Sequence, residues 1–171
     1  MKKLLFLTTL LLIGQLTLAQ DDKSKRPSPP AQAKQTVGGK TITIDYSQPS
    51  VKGRSVWDPA GKVAPMGQVW RTGANETTSI EVSDDVKVEG KPLPKGKYAL
   101  FTIPGEKDWT IIVNKTIKWG AFSYKQDEDV LRVTVPAKKA PGFQEKFNIA
   151  ISPQGVVSLV WADTKVDFTV K

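Results

Sequence analysis

Apolar and polar residues alternate with a period of two along most of this chain. The segment KTITIDYS places Ile42, Ile44 and Tyr46 on one face, and QEKFNIAIS does the same with Phe147 and Ile149. Such alternation is typical of half-buried β-strands, because successive side chains of a strand point to opposite faces. No segment carries a helical period over ten or more residues. The pattern therefore predicts an all-β fold.

Turn residues separate these segments at short intervals. Further strands are predicted in TTSIEV, KYALFTI, DWTIIVN and DVLRVTVPA, and Pro104-Gly105 marks one of the turns. The last segment, GVVSLVWADTKVDFTVK, predicts a hairpin that turns at residues 162–165. About eight or nine short strands with this spacing indicate an antiparallel β-sandwich or a partly closed barrel.

The first 19 residues have the parts of a secretory signal peptide. Lys2 and Lys3 precede an apolar run over residues 4–13, which is shorter than the ~20 residues that span a bilayer. The sequence Thr17-Leu18-Ala19 approximates a cleavage site, which predicts a mature chain from Gln20. We therefore expect an exported protein, periplasmic or secreted, with no transmembrane segment in the mature chain. An uncleaved anchor is the alternative.

Two parts are predicted after the signal peptide. Residues 20–35, QDDKSKRPSPPAQAKQ, are charged and rich in proline and serine, which predicts a flexible tether. Residues 36–171 are then predicted to form a single β-sandwich domain, long enough to bury a core without disulfides.

The chain contains no histidine and no cysteine. Their absence excludes a Ser-His-Asp or Cys-His catalytic arrangement and a zinc site of the usual nitrogen and sulfur type. We predict no cofactor and no metal site. The remaining chemistry is that of carboxylate, lysine, tyrosine and serine side chains, so enzymatic activity is left open but disfavoured.

The mature chain is basic. Without Lys2 and Lys3, 23 basic residues stand against 17 acidic ones, a net charge of +6. The basic residues are scattered over strands and turns and are not clustered with aromatic residues, so we expect no nucleic-acid binding. Weak attraction to an anionic envelope surface or a polyanionic glycan stays open.

One connection, over residues 49–76, is far longer than the usual ~4–6 residues, and long loops in compact domains are commonly functional. Its end, VWRTGANE, places Trp70, Arg71, Asn75 and Glu76 close together. Arg71 offers a planar fork for a carboxylate, phosphate or sugar hydroxyls, and Trp70 offers a face for stacking. Asn75 and Glu76 would orient the ligand. The alternative is a structural lock, in which Trp70 plugs the sandwich and Arg71 pairs with Glu76 or Asp45.

Four further residues are candidates for the same binding site. Tyr46 and Arg54 come from DYSQPSVKGR, at the start of the long loop, where Pro49 and a glycine could instead simply shape a turn. Trp119 and Tyr124 come from KWGAFSY and could form an aromatic wall or a small core beneath a loop.

Several stretches together resemble a known family. DYSQPSVKGR, GQVWRTGANETT, VEGKPLPKGKYALFTIPG and WTIIVNK with WGAFSYKQDEDVLRVTV are similar to the domain of unknown function 2911 family. The resemblance covers nearly all of the chain after the tether. It implies an exported all-β protein of Bacteroidetes-type bacteria and supplies no catalytic residues.

These observations predict a noncatalytic binding protein of the cell envelope, whose ligand is a carbohydrate or a small anionic molecule. The first alternative is a hydrolase of glycans or peptides that uses Glu76 or Asp45 as general acid or base, which requires two carboxylates within ~5–9.5 Å of each other in a pocket. The second is a structural envelope protein. The sequence indicates no oligomeric state.

Overall fold

The computed structural model describes residues 22–171, so the predicted signal peptide lies outside the described residues. Within that range the fold is all-β, with three single turns of 3-10 helix as its helical segments. The strands are β1 (Pro30–Val37), β2 (Lys40–Ser47), β3 (Ser79–Val82), β4 (Val86–Val88), β5 (Lys91–Leu93), β6 (Gly96–Ile103), β7 (Asp108–Asn114), β8 (Asp129–Ile151) and β9 (Val156–Thr169).

Seven of these strands form one antiparallel sheet in the order β1-β2-β3-β6-β7-β8-β9, and β4 pairs with β5 in a separate hairpin. The sheet is curled into a half-barrel, and the long β8 pairs with β7 through its first part and with β9 through its second. Directly after β2, the chain bonds to β8 through Val51 N–H to Glu145 O and Phe147 N–H to Pro49 O, both 2.9 Å. The predicted all-β antiparallel fold of about eight or nine strands is confirmed, in its partly closed form.

The strand β1 begins inside the segment that is predicted to be a tether over residues 20–35. It pairs with β2 along its whole length through a two-residue Gly38-Gly39 turn, in which both glycines have positive φ. Such a turn matches the twist of a hairpin, and Gly-Gly is one of its sequence signals. The strand lies at the edge of the sheet, where only Ala33 is buried. An edge strand is held by backbone hydrogen bonds and needs few apolar residues, so the apolar pattern does not reveal it.

The predicted turn at residues 162–165 is wrong. β9 runs through this region, and Ala162 lies opposite Gln144 where the register with β8 shifts. Ala162 has a φ of 53°, a left-handed conformation that β-bulges use. The chain therefore bends at this point while it continues to pair with β8.

The main core lies inside the curl of the sheet. It contains an aromatic cluster whose ring centroids are 5.0 to 6.2 Å apart, with most of the pairs edge to face. The members of the cluster are Trp57, Trp70, Trp109, Phe147 and Trp161. A second, smaller core is formed by Ala99 and Phe101 of β6 and Ile112 of β7. Because β6 contributes to both cores, its sequence is apolar at successive positions.

Candidate functional site

The long connection folds over the main core. Val51, Val56, Ala64 and Trp70 from this loop are all buried in it. Burial of apolar side chains stabilises a loop that has almost no regular secondary structure of its own. The long loop predicted from the sequence is therefore a packed part of the fold.

Trp70 lies beside β6, in line with the end of β3. Its N–H bonds to Thr102 O at 2.7 Å, and Thr102 N–H bonds back to Trp70 O at 3.0 Å. Successive side chains of an extended segment point to opposite faces. Accordingly Trp70 enters the main core, and its neighbour Val69 packs on the smaller core.

The ring of Trp70 is closed to any ligand. The residue is 2% exposed, its ring lies within the aromatic cluster, and its indole N–H donates to Gly73 O at 3.0 Å. The stacking role predicted for Trp70 does not fit this placement, because a buried ring offers no free face. The alternative interpretation, that Trp70 is a plug, does fit.

The turn after Trp70 has an unusual backbone. Thr72 and Asn75 have φ values of 54° and 57°, a region that β-branched residues such as threonine rarely occupy. Thr72 is fully buried, and its hydroxyl donates to the hydroxyl of Thr102 at 3.2 Å. Thr78 donates to the carbonyl of Thr72 at 2.7 Å. These bonds hold the turn that presents Arg71 and Asn75, and strained backbone of this kind is common at functional sites.

Four of the predicted site residues meet at one groove. Arg54, Arg71, Asn75 and Trp119 line a groove of about 370 Å³ together with Lys62. We call it the basic groove, because Arg54, Lys62 and Arg71 line it and no acidic residue of the described range does. Its volume lies in the range of about 300–1,000 Å³ that small-molecule sites occupy.

The cations of the basic groove have no acidic partner in residues 22–171. Arg54 donates to the backbone carbonyls of Val51 at 3.0 Å and Ser50 at 2.5 Å. Arg71 donates to the carbonyl of Asn75 at 2.9 Å, and neither it nor Lys62 forms an ion pair in that range. Backbone carbonyls orient a guanidinium without neutralising it. The positive charge of the groove is therefore available to an anion.

Glu76 does not pair with Arg71. Its carboxylate accepts from Lys23 at 3.1 Å and from Arg26 at 3.0 Å. With Asp45 and Tyr46 it lines a separate pocket of about 280 Å³, in which Lys97 pairs with Asp45 at 3.3 Å. The predicted pairing of Arg71 with Glu76 or Asp45 is therefore wrong, and Glu76 does not take part in the basic groove.

The environment of Glu76 favours its ionised form. A hydrogen bond from its own backbone N–H, together with Arg26 and Lys23, lowers the pKa of Glu76 to about 2, although partial burial opposes the shift. A carboxyl group that is ionised throughout the neutral range is a poor general acid. The pocket does bring Asp45 and Glu76 together, but each carboxylate is already paired with a cation.

Tyr46 and Tyr124 are used in packing. The hydroxyl of Tyr46 accepts from the N–H of Ile149 at 3.0 Å, and burial raises the pKa of this tyrosine. Tyr124 packs edge-on against Phe101 in the smaller core, and its hydroxyl donates to Asp129 at 2.9 Å. Neither side chain lines the basic groove, so the small-core alternative holds for Tyr124.

Sequence reasoning missed several residues of the basic groove, among them Lys62 and Ser28. Lys62 lies in the long loop and could have been found as its third groove cation. Ser28 lines the groove because its carbonyl accepts from the side chain of Asn75 at 2.8 Å, which brings the N-terminal segment alongside. No sequence signal indicates the contact between Ser28 and Asn75, since these residues lie 47 positions apart in the chain.

A further groove of about 410 Å³ lies over the aromatic cluster. Trp57 and Trp109 line it, and both lysines and acidic residues surround them, among them Lys139 and Asp163. Its mixed charges indicate no particular ligand class. Within residues 22–171 we find no group of three or more acidic residues placed to hold a metal ion. The same described part of the chain has no helix long and apolar enough to cross a membrane.

Comparison with curated proteins and with solved structures found no match. A family model described as "Protein of unknown function (DUF2911)" matches residues 28–170, from the residue that borders the basic groove to the end of the last strand. The match spans far more than half of the sequence and agrees with the resemblance noted above. The chain therefore belongs to the DUF2911 family.

Proposed function

We propose that this protein binds a small anionic ligand, or the acidic group of a carbohydrate, in the basic groove without chemical conversion of the ligand. One observation carries the proposal: Arg54, Lys62 and Arg71 converge on a single groove, which no acidic residue among residues 22–171 lines. Such a cluster of like charges is electrostatically unfavourable in the absence of an anion.

The side chains of the groove suit a carboxylate, sulfate or phosphate group. Each arginine keeps donors beyond those used on backbone carbonyls, and a planar guanidinium can bind such a group through two parallel hydrogen bonds. Trp119 is 54% exposed, so it has a free face for a sugar ring. The side-chain NH₂ of Asn75 donates a hydrogen bond to Ser28 O, which fixes the position of Asn75 at the groove wall.

A noncatalytic role fits the chemistry of the site. Among the described residues the basic groove is lined by no carboxylate, and the chain has no histidine or cysteine that could act as base or nucleophile. The predicted signal peptide supports export, so we place the ligand in the cell envelope or outside the cell. The family resemblance favours a Bacteroidetes-type bacterium as the source.

The test is a binding titration with uronic-acid oligosaccharides, their neutral counterparts and inorganic phosphate. We expect the acidic probes to bind and the neutral ones not to bind. Arg71→Ala should weaken binding by about tenfold or more, because a charge-assisted hydrogen bond is worth ~1.5–3 kcal/mol. Lys139→Ala is the matched control, since it removes one positive charge from the other groove.

The stability of the Arg71→Ala variant separates the proposal from a structural role. Among the described residues Arg71 makes one hydrogen bond, to a backbone carbonyl, so its loss should cost at most ~1.5–3 kcal/mol of the free energy of unfolding. Equal affinity of Arg71→Ala and Lys139→Ala for the acidic probes would refute the proposal. So would a large loss of stability in Arg71→Ala without any binding by the native chain.

A further inference from the structure

The connection between β7 and β8 contains large apolar side chains that are exposed to solvent. The connection covers residues 115–128, and we call its first part, residues 115–125, the aromatic loop. In this loop Ile117 is 43% exposed, Trp119 54% and Phe122 81%. Isolated exposed apolar residues are ordinary on protein surfaces. Three large ones within six residues of one loop are more than scattered single exposure, and such a concentration calls for a partner.

The loop is held rigidly at its base. Asn114 is fully buried, and its side chain donates to Lys125 O and accepts from Thr116 N–H, both at 2.9 Å. In the middle of the loop, the hydroxyl of Thr77 bonds to the carbonyl of Lys118. These bonds fix the backbone, so the loop cannot simply fold its apolar side chains inward.

The ring of Phe122 lies against the backbone of Gly120. A Cβ atom at this glycine would lie 2.5 Å from Cε1 of Phe122, so the ring lies directly across the glycine backbone. Gly120 also has a φ of 74°, which suits glycine. A side chain at position 120 would therefore collide with the ring of Phe122, which is exposed in this placement.

The charge around these side chains is positive. Lys115, Lys118 and Lys125 are exposed, and no acidic residue lies between them, whereas Asp127 and Glu128 follow at the end of the same connection. The basic groove begins at Trp119 and adds its own cations on one side. Of the acidic residues that follow the loop, Asp129 is neutralised by an ion pair with Arg132.

We infer that the aromatic loop docks this protein onto the surface of a bilayer that contains anionic phospholipids. Tryptophan prefers the interface between head groups and acyl chains, and phenylalanine and isoleucine gain from burial in the acyl region. Lysine stems can extend along the apolar surface while their ammonium groups contact lipid phosphates. The exposed apolar side chains and the neighbouring lysines fit a lipid surface better than a protein groove. A bilayer can bury the few apolar side chains while its phosphates contact the lysines, and it needs no matching shape.

The test uses the chain from Gln20, the predicted mature form, with vesicles of phosphatidylcholine alone and of phosphatidylcholine with phosphatidylglycerol. Flotation should recover the protein with the anionic vesicles and not with the neutral ones, and raised salt should weaken the binding. Phe122→Ala should reduce binding about tenfold, as expected from the loss of one buried aromatic side chain. Phe143→Ala is the control, since Phe143 is 67% exposed but belongs to β8.

A second measurement follows the loop directly. The emission of Trp119 should shift to shorter wavelength with anionic vesicles, and Trp119→Phe should remove the shift while the other tryptophans remain. Lack of flotation with anionic vesicles would overturn the inference. Equal loss of binding in Phe122→Ala and Phe143→Ala would also overturn it, as would a concentration-dependent dimer of the native chain that Phe122→Ala dissolves in the absence of lipid.

Discussion

Replacement of Trp70 by alanine tests whether this residue is the plug of the half-barrel. The native ring is 2% exposed, contacts four aromatic rings and donates one hydrogen bond to Gly73 O. Truncation of a buried tryptophan to alanine costs ~3–5 kcal/mol through lost burial and the cavity left behind. The lost hydrogen bond adds to this cost, because the carbonyl of Gly73 then lacks its donor.

A loss of this size should be easy to measure. The total stability of a domain is about 5–15 kcal/mol, and a change of 1 kcal/mol shifts the melting temperature of a chain of this length by ~2–4 °C. We therefore expect the melting temperature of Trp70→Ala to fall by about 6–20 °C. Urea unfolding should show a lower midpoint with an unchanged m-value, since the surface exposed on unfolding is nearly the same.

Trp119→Ala is the matched control for this prediction. It removes the same side chain from a position that is 54% exposed, where substitutions usually change stability by no more than about 0.5 kcal/mol. If Trp70→Ala unfolds completely, Trp70→Phe keeps the ring in the cluster and should lose about 2 kcal/mol. Equal losses for Trp70→Ala and Trp119→Ala would refute the role of Trp70 as a plug.

Two further predictions concern the residues around this plug. Gly73→Ala should lower the free energy of unfolding by ~1–3 kcal/mol in a urea titration, because its Cβ would lie 3.0 Å from Ser47 O. Gly142 has open space around it, so Gly142→Ala should change the free energy of unfolding little in the same titration. The hydrogen bond from the backbone N–H of Glu76, followed by Arg26 and Lys23, lowers the pKa of Glu76, so the ionised carboxylate stabilises the native state above its ordinary pKa of 4.5 and this contribution is lost as the pH falls toward about 2. At neutral pH, Glu76→Gln should therefore speed amide exchange in residues 22–28, and unchanged exchange would contradict the role of its ion pair with Arg26.

The strands that sequence patterns predict well are those with one apolar face. In β2, Ile42 and Ile44 are fully buried as the alternation requires. The edge strand β1 has no such face, so its position depends on the backbone partner that the fold supplies. The bend in β9 resembles a turn in sequence because Asp163 and Thr164 are polar. A strand with a β-bulge can expose such residues and still continue its pairing with the neighbouring strand.

Only part of the candidate site can be predicted from the sequence. The segment VWR is extended like a strand although it lies within a long loop, so its side chains alternate between two faces. Trp70 pairs with Thr102, and Val69 beside it faces the smaller core. The alternation of side chains along extended backbone is enough to separate Trp70 from Arg71. The position of Glu76 cannot be predicted in the same way, because its partners Lys23 and Arg26 lie about fifty positions earlier in the chain.

The closure of the half-barrel has a consequence for the order in which this molecule folds. The hydroxyl of Tyr46 meets the backbone of Ile149 across a separation of 103 residues, and the chain after β2 bonds to the same part of β8. Contacts this far apart in sequence form late and slow the search for the native state. A growing chain can therefore pair β1 to β3 early, yet its core stays open to water until β8 has been made. The last quarter of the sequence decides when the protein becomes folded.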